Sequence, residues 1–113
     1  MTSEEAKKEV TVIVRLESLP EETAELRRQI IAVLRKARRE PGYLACELLI
    51  DLDNPLHFVL YERWRSVEEL FAYNNQPYHK EFEKSAQELC GEPGGMPVYV
   101  GKIQAARFQT IEF

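Results

Sequence analysis

The sequence has little of what most recognisable chemistries require. Its five glycines form no phosphate-cradling loop, its two histidines lie in separate segments with no paired zinc-type spacing, and no serine sits in a nucleophile elbow. Two cysteines without metal-ligand spacing, Cys46 and Cys90, read as reduced thiols of a cytoplasmic protein. No charged-then-apolar leader and no apolar run near the ~20 residues of a membrane span are present, so a membrane role is not expected. Basic residues are outnumbered, 15 Lys and Arg against 19 Asp and Glu, and a net charge of −4 argues against a nucleic-acid surface, which needs cations to replace phosphate counterions. Internal repeats and low-complexity segments are also absent. A metal is not expected.

What remains is one domain of 113 residues, 44% hydrophobic and 30% charged, with room for a single core. Residues 1–9 are polar and read as a flexible tail, and residues 10–113 form the domain. Val10, Val12, Val14 and Leu16 alternate with Thr11, Ile13, Arg15 and Glu17, which is a strand. Ser18-Leu-Pro-Glu21 then predicts a capped helix start, and Leu26, Ile30, Val33 or Leu34, and Ala37 follow at helical spacing. Acidic residues at that helix's start and Arg35, Lys36, Arg38 and Arg39 at its end match the helix dipole. Pro41-Gly42 stops it. Two runs rich in aliphatic and aromatic residues flank Asp51 to Pro55, which reads as a β-hairpin. Ser66-Val-Glu-Glu69 is a second capping box, opening a short helix with Val67, Leu70, Phe71 and Tyr73. Pro77 suits the first turn of another, striped by Tyr78, Phe82, Ala86 and Leu89. The breaker-rich segment from Gly91 to Pro97 reads as a flap or a connection across a dimer, and a last strand runs from near Gln104 to Phe113.

Counting the two short helices as one, the order β-α-β-β-α-β predicts an α+β, ferredoxin-like antiparallel sheet with helices on one face. Strands apolar on both faces leave the other face in need of cover. A homodimer joined through the sheet faces is the simplest expectation.

Alternation in the second hairpin strand puts Phe58, Leu60, Glu62 and Trp64 on one face. Buried there, Glu62 would be an acid of raised pKa, an anchor for a partner, or half of a structural ion pair with an arginine. Trp64 is a core aromatic or a wall against a flat substrate. His79, near the start of the last helix, is the best proton acceptor, or else a histidine at the surface or one that only supports other site residues; His57, beside the turn, reads as solvated. Tyr73, Asn74, Asn75 and Tyr78 bring hydrogen-bonding groups to the helix break.

Together, Glu40-Pro-Gly-Tyr-Leu-Ala-Cys-Glu-Leu, Phe58-Val-Leu-Tyr-Glu-Arg-Trp-Arg-Ser and Asn75-Gln-Pro-Tyr-His-Lys-Glu-Phe resemble the antibiotic biosynthesis monooxygenase family over roughly Val10 to Leu89. The resemblance implies a dimeric α+β barrel with a pocket between sheet and helices, lined by Trp64, Glu62, Phe58, Tyr73, His79 and Phe82. In the quinol-oxidising branch it implies a cofactor-independent monooxygenase acting on a hydroxylated aromatic with O2. The catalytic expectation then falls on His79, Trp64 and Glu62, with Phe58, Tyr73, Asn74, Tyr78 and Phe82 against the substrate. The family's haem-degrading branch uses an asparagine on the first strand and a histidine within the last helix. This sequence keeps Trp64 but has neither feature. The alternative implied is a dimeric, non-catalytic domain holding a flat aromatic or haem-like ligand.

Overall fold

The computed structural model describes residues 8–91 and 108–113. Strand β1 (Val10–Glu17) leads through a single 3-10 turn at Pro20–Glu22 into helix α1 (Thr23–Ala37). Strands β2 (Tyr43–Asp51) and β3 (His57–Trp64) make the hairpin, helices α2 (Val67–Asn74) and α3 (Pro77–Leu89) follow, and β4 (Phe108–Ile111) ends the order. The sheet runs β1-β3-β2-β4, antiparallel throughout. With β3 between β1 and β2, this is the split β-α-β arrangement of a ferredoxin-like fold. The predicted start of the last strand at Gln104, and the Gly91 to Pro97 segment beyond Gly91 itself, lie outside the described residues.

Register fixes which side chains meet the helices. Val14 pairs with Leu60 and Val12 with Glu62, while Leu48 faces Leu60 and Cys46 faces Glu62 from the other side. A one-residue slip would turn all of these to solvent, so burial of one face locks the pairing. Against that face α1 lays Leu26, Ile30, Val33, Leu34 and Ala37, and α3 lays His79, Phe82 and Ala86. The hairpin turn holds itself: Asp53 N–H donates to Asp51 Oδ1 at 2.8 Å and Leu56 N–H to Asn54 Oδ1 at 3.2 Å, the local bonding for which Asp and Asn suit turns.

Several expectations are corrected. Ser18 does not cap α1. Its hydroxyl pairs with Thr23 Oγ1 at 2.8 Å, because the Pro20–Glu22 turn intervenes and Ser18 N–H is already committed to Leu56 O. Ser66 does cap α2, accepting from Glu69 N–H at 3.2 Å. Phe71, expected with the apolar residues of α2, is half exposed. His57 is not solvated: Nδ1 lies 3.2 Å from Asp51 Oδ2 at the hairpin base, and both side chains are largely covered. Glu9, assigned to the tail, accepts from Arg63 Nε at 2.8 Å. Of the basic cluster ending α1, Arg38 donates to Phe113 O at 3.1 Å and lies over that ring, and Lys36 Nζ lies 5.0 Å from the centre of the Tyr78 ring.

Glycine is required at position 42, where the chain leaves α1 for β2. Its φ is +85°, and a Cβ there would meet Glu69 Cβ and Cδ at 2.5 Å. Glu69 cannot easily yield, being tied to Arg65 and to the Ser66 cap. Gly42→Ala is expected to destabilise the fold by about 2 kcal/mol or more, from left-handed backbone strain and this overlap together. Urea unfolding reads it as a lower midpoint at unchanged slope; wild-type stability would contradict the account.

Candidate functional site

Between sheet and helices lies a cavity of about 160 Å3. Its floor is the paired strands, through Val12, Val14, Leu60 and Glu62. Leu70, Tyr73 and Asn74 close it from α2, His79, Phe82 and Glu83 from α3, and Val33 from α1. Five of the eight residues singled out from the sequence therefore meet at one void: Glu62, Tyr73, Asn74, His79 and Phe82.

The other three stand elsewhere. Trp64 is fully buried one layer back, its indole stacked on Tyr73 at 4.6 Å between ring centres and 25° between planes. Tyr73 thus occupies the wall position expected of the indole. Phe58 is fully buried further along the sheet, beneath a separate surface hollow with Thr23 and Pro55. Tyr78 turns outward, donating to Glu40 Oε1 at 2.5 Å, because its place beside Pro77 at the helix start puts it a third of a turn from His79.

The polar groups of the cavity are few and strongly perturbed. Glu62 is only 6% exposed, and its carboxyl accepts one hydrogen bond, from Trp64 Nε1–H to Oε1 at 3.0 Å. This replaces the arginine ion pair weighed from the sequence. Desolvation raises its pKa, and the indole bond offsets only part of that. His79 is 7% exposed, with Tyr73 edge-on at 4.5 Å and Phe82 at 6.0 Å. Burial lowers its pKa, against the opposing pull of Glu83. Glu83 Oε1 lies 2.9 Å from His79 Nδ1, yet out of line for a hydrogen bond, so Nδ1 is a buried nitrogen with a charge neighbour and no bonded partner. Desolvation likewise pushes the Tyr73 hydroxyl far above its ordinary range. At neutral pH His79 and Tyr73 are held neutral, and Glu62 is biased towards its protonated form.

Glu83 was missed in the sequence. The signal was there, since a residue four positions after His79 shares its helix face. No group of three or more metal-type ligands occurs among the described residues, and none of their helices is long and apolar enough to cross a membrane.

The family model described as antibiotic biosynthesis monooxygenase matches residues 9–85. The chain belongs to that family. The matched span contains every lining residue of the cavity. Among solved structures, a Nitrosomonas europaea protein whose name carries the same family description is 23% identical, covering 78% of this chain and 84% of that one at a TM-score of 0.69. Mycobacterium tuberculosis Rv0793 is 22% identical over 93% of this chain and 94% of its own, with a TM-score of 0.70. A conserved protein from Methanosarcina mazei is 14% identical over 97% of both chains, again at 0.70. At these identities the likeness establishes a shared fold. No curated protein matches the chain.

The raised pKa of Glu62 gives a stability signature. Its folded value lies above the ordinary 4.5, so the folded state binds the proton more tightly and stability is lost as pH rises through the folded value. Glu62→Gln keeps an acceptor for Trp64 and does not titrate. Relative to wild type, the variant is expected to gain stability as the pH is raised from 4.5 towards 8, measured by urea unfolding at each pH. A difference that stays flat would show that the carboxyl is not desolvated.

Proposed function

We propose that the chain is a cofactor-independent monooxygenase that oxidises a hydroxylated aromatic with O2 in the cavity beneath its helices. The observation carrying this reading is the meeting of a neutral imidazole and a desolvated carboxyl in one partly enclosed, largely apolar cavity. Pairs of titratable groups displaced from their ordinary values concentrate where proton transfer is performed.

The chemistry follows from the walls. A phenol is a poor electron donor to O2, while its anion is a good one, so the protein must remove one proton and exclude water. His79 is the acceptor. A phenol of pKa about 10 losing its proton to an imidazole below about 6.5 is uphill by roughly 5 kcal/mol. That fits beneath the overall barrier of about 16 kcal/mol for a turnover of ~10 per second. Glu83 lowers the cost, because the imidazolium gains a carboxylate 2.9 Å from Nδ1. In its protonated form Glu62 can donate to a second ring oxygen. One oxygen atom enters the ring and the other leaves as water, the ring supplying all four electrons, so the overall equation needs no added reductant. The small cavity supports this reading over a haem-like ligand, whose macrocycle far exceeds it, and β1 turns Val12 and Val14 towards the void where the haem-degrading branch has an asparagine.

The second part of the reading is a homodimer through the outer sheet face. That face carries Ile13, Val59 and Tyr61 on the adjacent strands β1 and β3; Val59 is covered, but Ile13, on the edge strand β1, is 62% exposed and leaves an apolar side chain for a second copy to cover. A two-fold pairing of this face covers it in both copies at once.

Oxygen uptake with a panel of hydroquinones and catechols tests the chemistry. Wild type is expected to consume O2, and His79→Ala to lose about 10²- to 10⁴-fold, the usual share of a positioned base; an undiminished rate would remove His79 from the mechanism, and no uptake by wild type would remove the oxygenase reading. For the assembly, sedimentation equilibrium is expected to show a dimer. Ile13→Glu buries two carboxylates per interface and should weaken it at least about tenfold without unfolding the protomer.

A further inference from the structure

The inner cavity has an outer neighbour. On the far side of the helix layer a groove of about 410 Å3 runs between α1 and α3, bordered by Arg28, Lys36, Tyr78 and Ser85. Two side chains line both spaces: Val33 from α1 and Phe82 from α3. They are 5% and 7% exposed, and form the partition between the cavity and the open surface.

The volumes decide what the partition does. An engineered apolar cavity of about 150 Å3 takes up benzene, so the 160 Å3 here suits one six-membered ring with small substituents. A fused second ring needs space from somewhere. The floor cannot supply it, because Val12, Val14, Leu60 and Glu62 rise from strands locked in paired register. The Tyr73 wall cannot either, being stacked on a fully buried indole that is itself bonded to Glu62. The α1–α3 side is different. There the two walls belong to separate helices that meet through side chains, and open volume lies directly behind them.

Resting on the reading of the cavity as a substrate site, we propose that it takes a single-ring hydroxylated aromatic, and that Val33 and Phe82 set this limit by closing the cavity off from the α1–α3 groove. Shortening either side chain joins the two spaces and lets a fused two-ring guest extend outward between the helices.

The test is calorimetric binding of phenol and 2-naphthol to the full chain, as wild type, Val33→Ala and Phe82→Ala. Naphthol is the more apolar and binds more tightly to any open hydrophobic surface, so its rejection reports shape. Wild type is expected to bind phenol and to bind naphthol at least tenfold more weakly. In either variant naphthol is expected to match or exceed phenol. Val33→Ala removes less volume and keeps the test alive where Phe82→Ala does not fold; near-ultraviolet circular dichroism establishes folding in each. Wild type binding naphthol as tightly as phenol, wild type binding neither, or a folded variant still rejecting naphthol would each overturn the proposal. Failure of the oxygenase reading is distinguishable. Phenol selectivity without O2 uptake on any quinol leaves the size limit standing, while uptake by wild type on two-ring quinols removes the limit and leaves the oxygenase.

Discussion

The site rests on one hydrogen bond, from the Trp64 indole to the Glu62 carboxyl, two residues apart on the same face of β3. Each group alone would be a liability at that depth. A buried indole N–H without an acceptor costs about 1 to 3 kcal/mol, and an unpartnered carboxylate considerably more. Placed at i and i+2 on an extended strand, each answers the other with no further residue. Because the indole is pinned at its nitrogen, its face is fixed, and Tyr73 stacks on that face. Tyr73 in turn presents its edge to His79. The cavity wall is therefore a chain of rings anchored in the sheet, and it keeps its shape without a guest.

The interruption between α2 and α3 explains why the rings converge there. Asn75 ends α2, Gln76 is extended, and Pro77 starts α3 with no N–H to satisfy. A continuous helix would carry Tyr73 and His79 about one and two-thirds turns apart along one axis. The break instead lets two helices approach the void from different directions, with Tyr73 on one and His79 on the other. Glu40, at the end of α1, ties this corner down by accepting from Tyr78 Oη at 2.5 Å and from Gln76 Nε2 at 3.4 Å. The result is a rigid frame around a space that no side chain fills.

Most of the fold was legible because it rests on local rules. Alternation in β1 and β3, the Asp and Asn of the hairpin turn, the Ser66 cap and Pro77 are each fixed within a few residues, and each appears where the pattern put it. The Ser18 cap failed for an equally local reason: a proline two positions on allows either an α-helical or a 3-10 start. The site was legible in membership and less so in arrangement. Face alternation could place Glu62 and Trp64 together, but only the depth of packing decides which of Trp64 and Tyr73 fronts the void. Phe58 shares their face yet lies four residues from Glu62, beyond the cavity's extent along the strand. Tyr78 and His79 are neighbours in sequence, and one residue of helix rotation sends the first to Glu40 and the second inward. Such choices depend on several elements at once, and no single window of sequence contains them.

On the proposed oxygenase reading, the His79–Glu83 contact gives a reason for a base on a helix and not on the sheet beside Glu62. A proton taken from a buried guest must leave, or the site is spent after one turnover. On the floor of the cavity, Glu62 is only 6% exposed and its carboxyl is taken up by the Trp64 indole. Glu83 is different: its side chain is 30% exposed while its carboxylate reaches Nδ1 inside. With Nδ1 turned to Glu83, Nε2 is the nitrogen left to meet a guest. Neutral His79 leaves Nδ1 buried and without a bond, a modest penalty in the resting protein. Protonation converts that penalty into attraction, because a short misaligned contact serves a charge pair far better than it serves a neutral hydrogen bond, which needs alignment. Burial still favours the neutral ring, and the Glu83 carboxylate offsets part of the cost of charging it. On that reading, proton acceptance in the cavity and proton release through the partly exposed Glu83 would be joined through one ring.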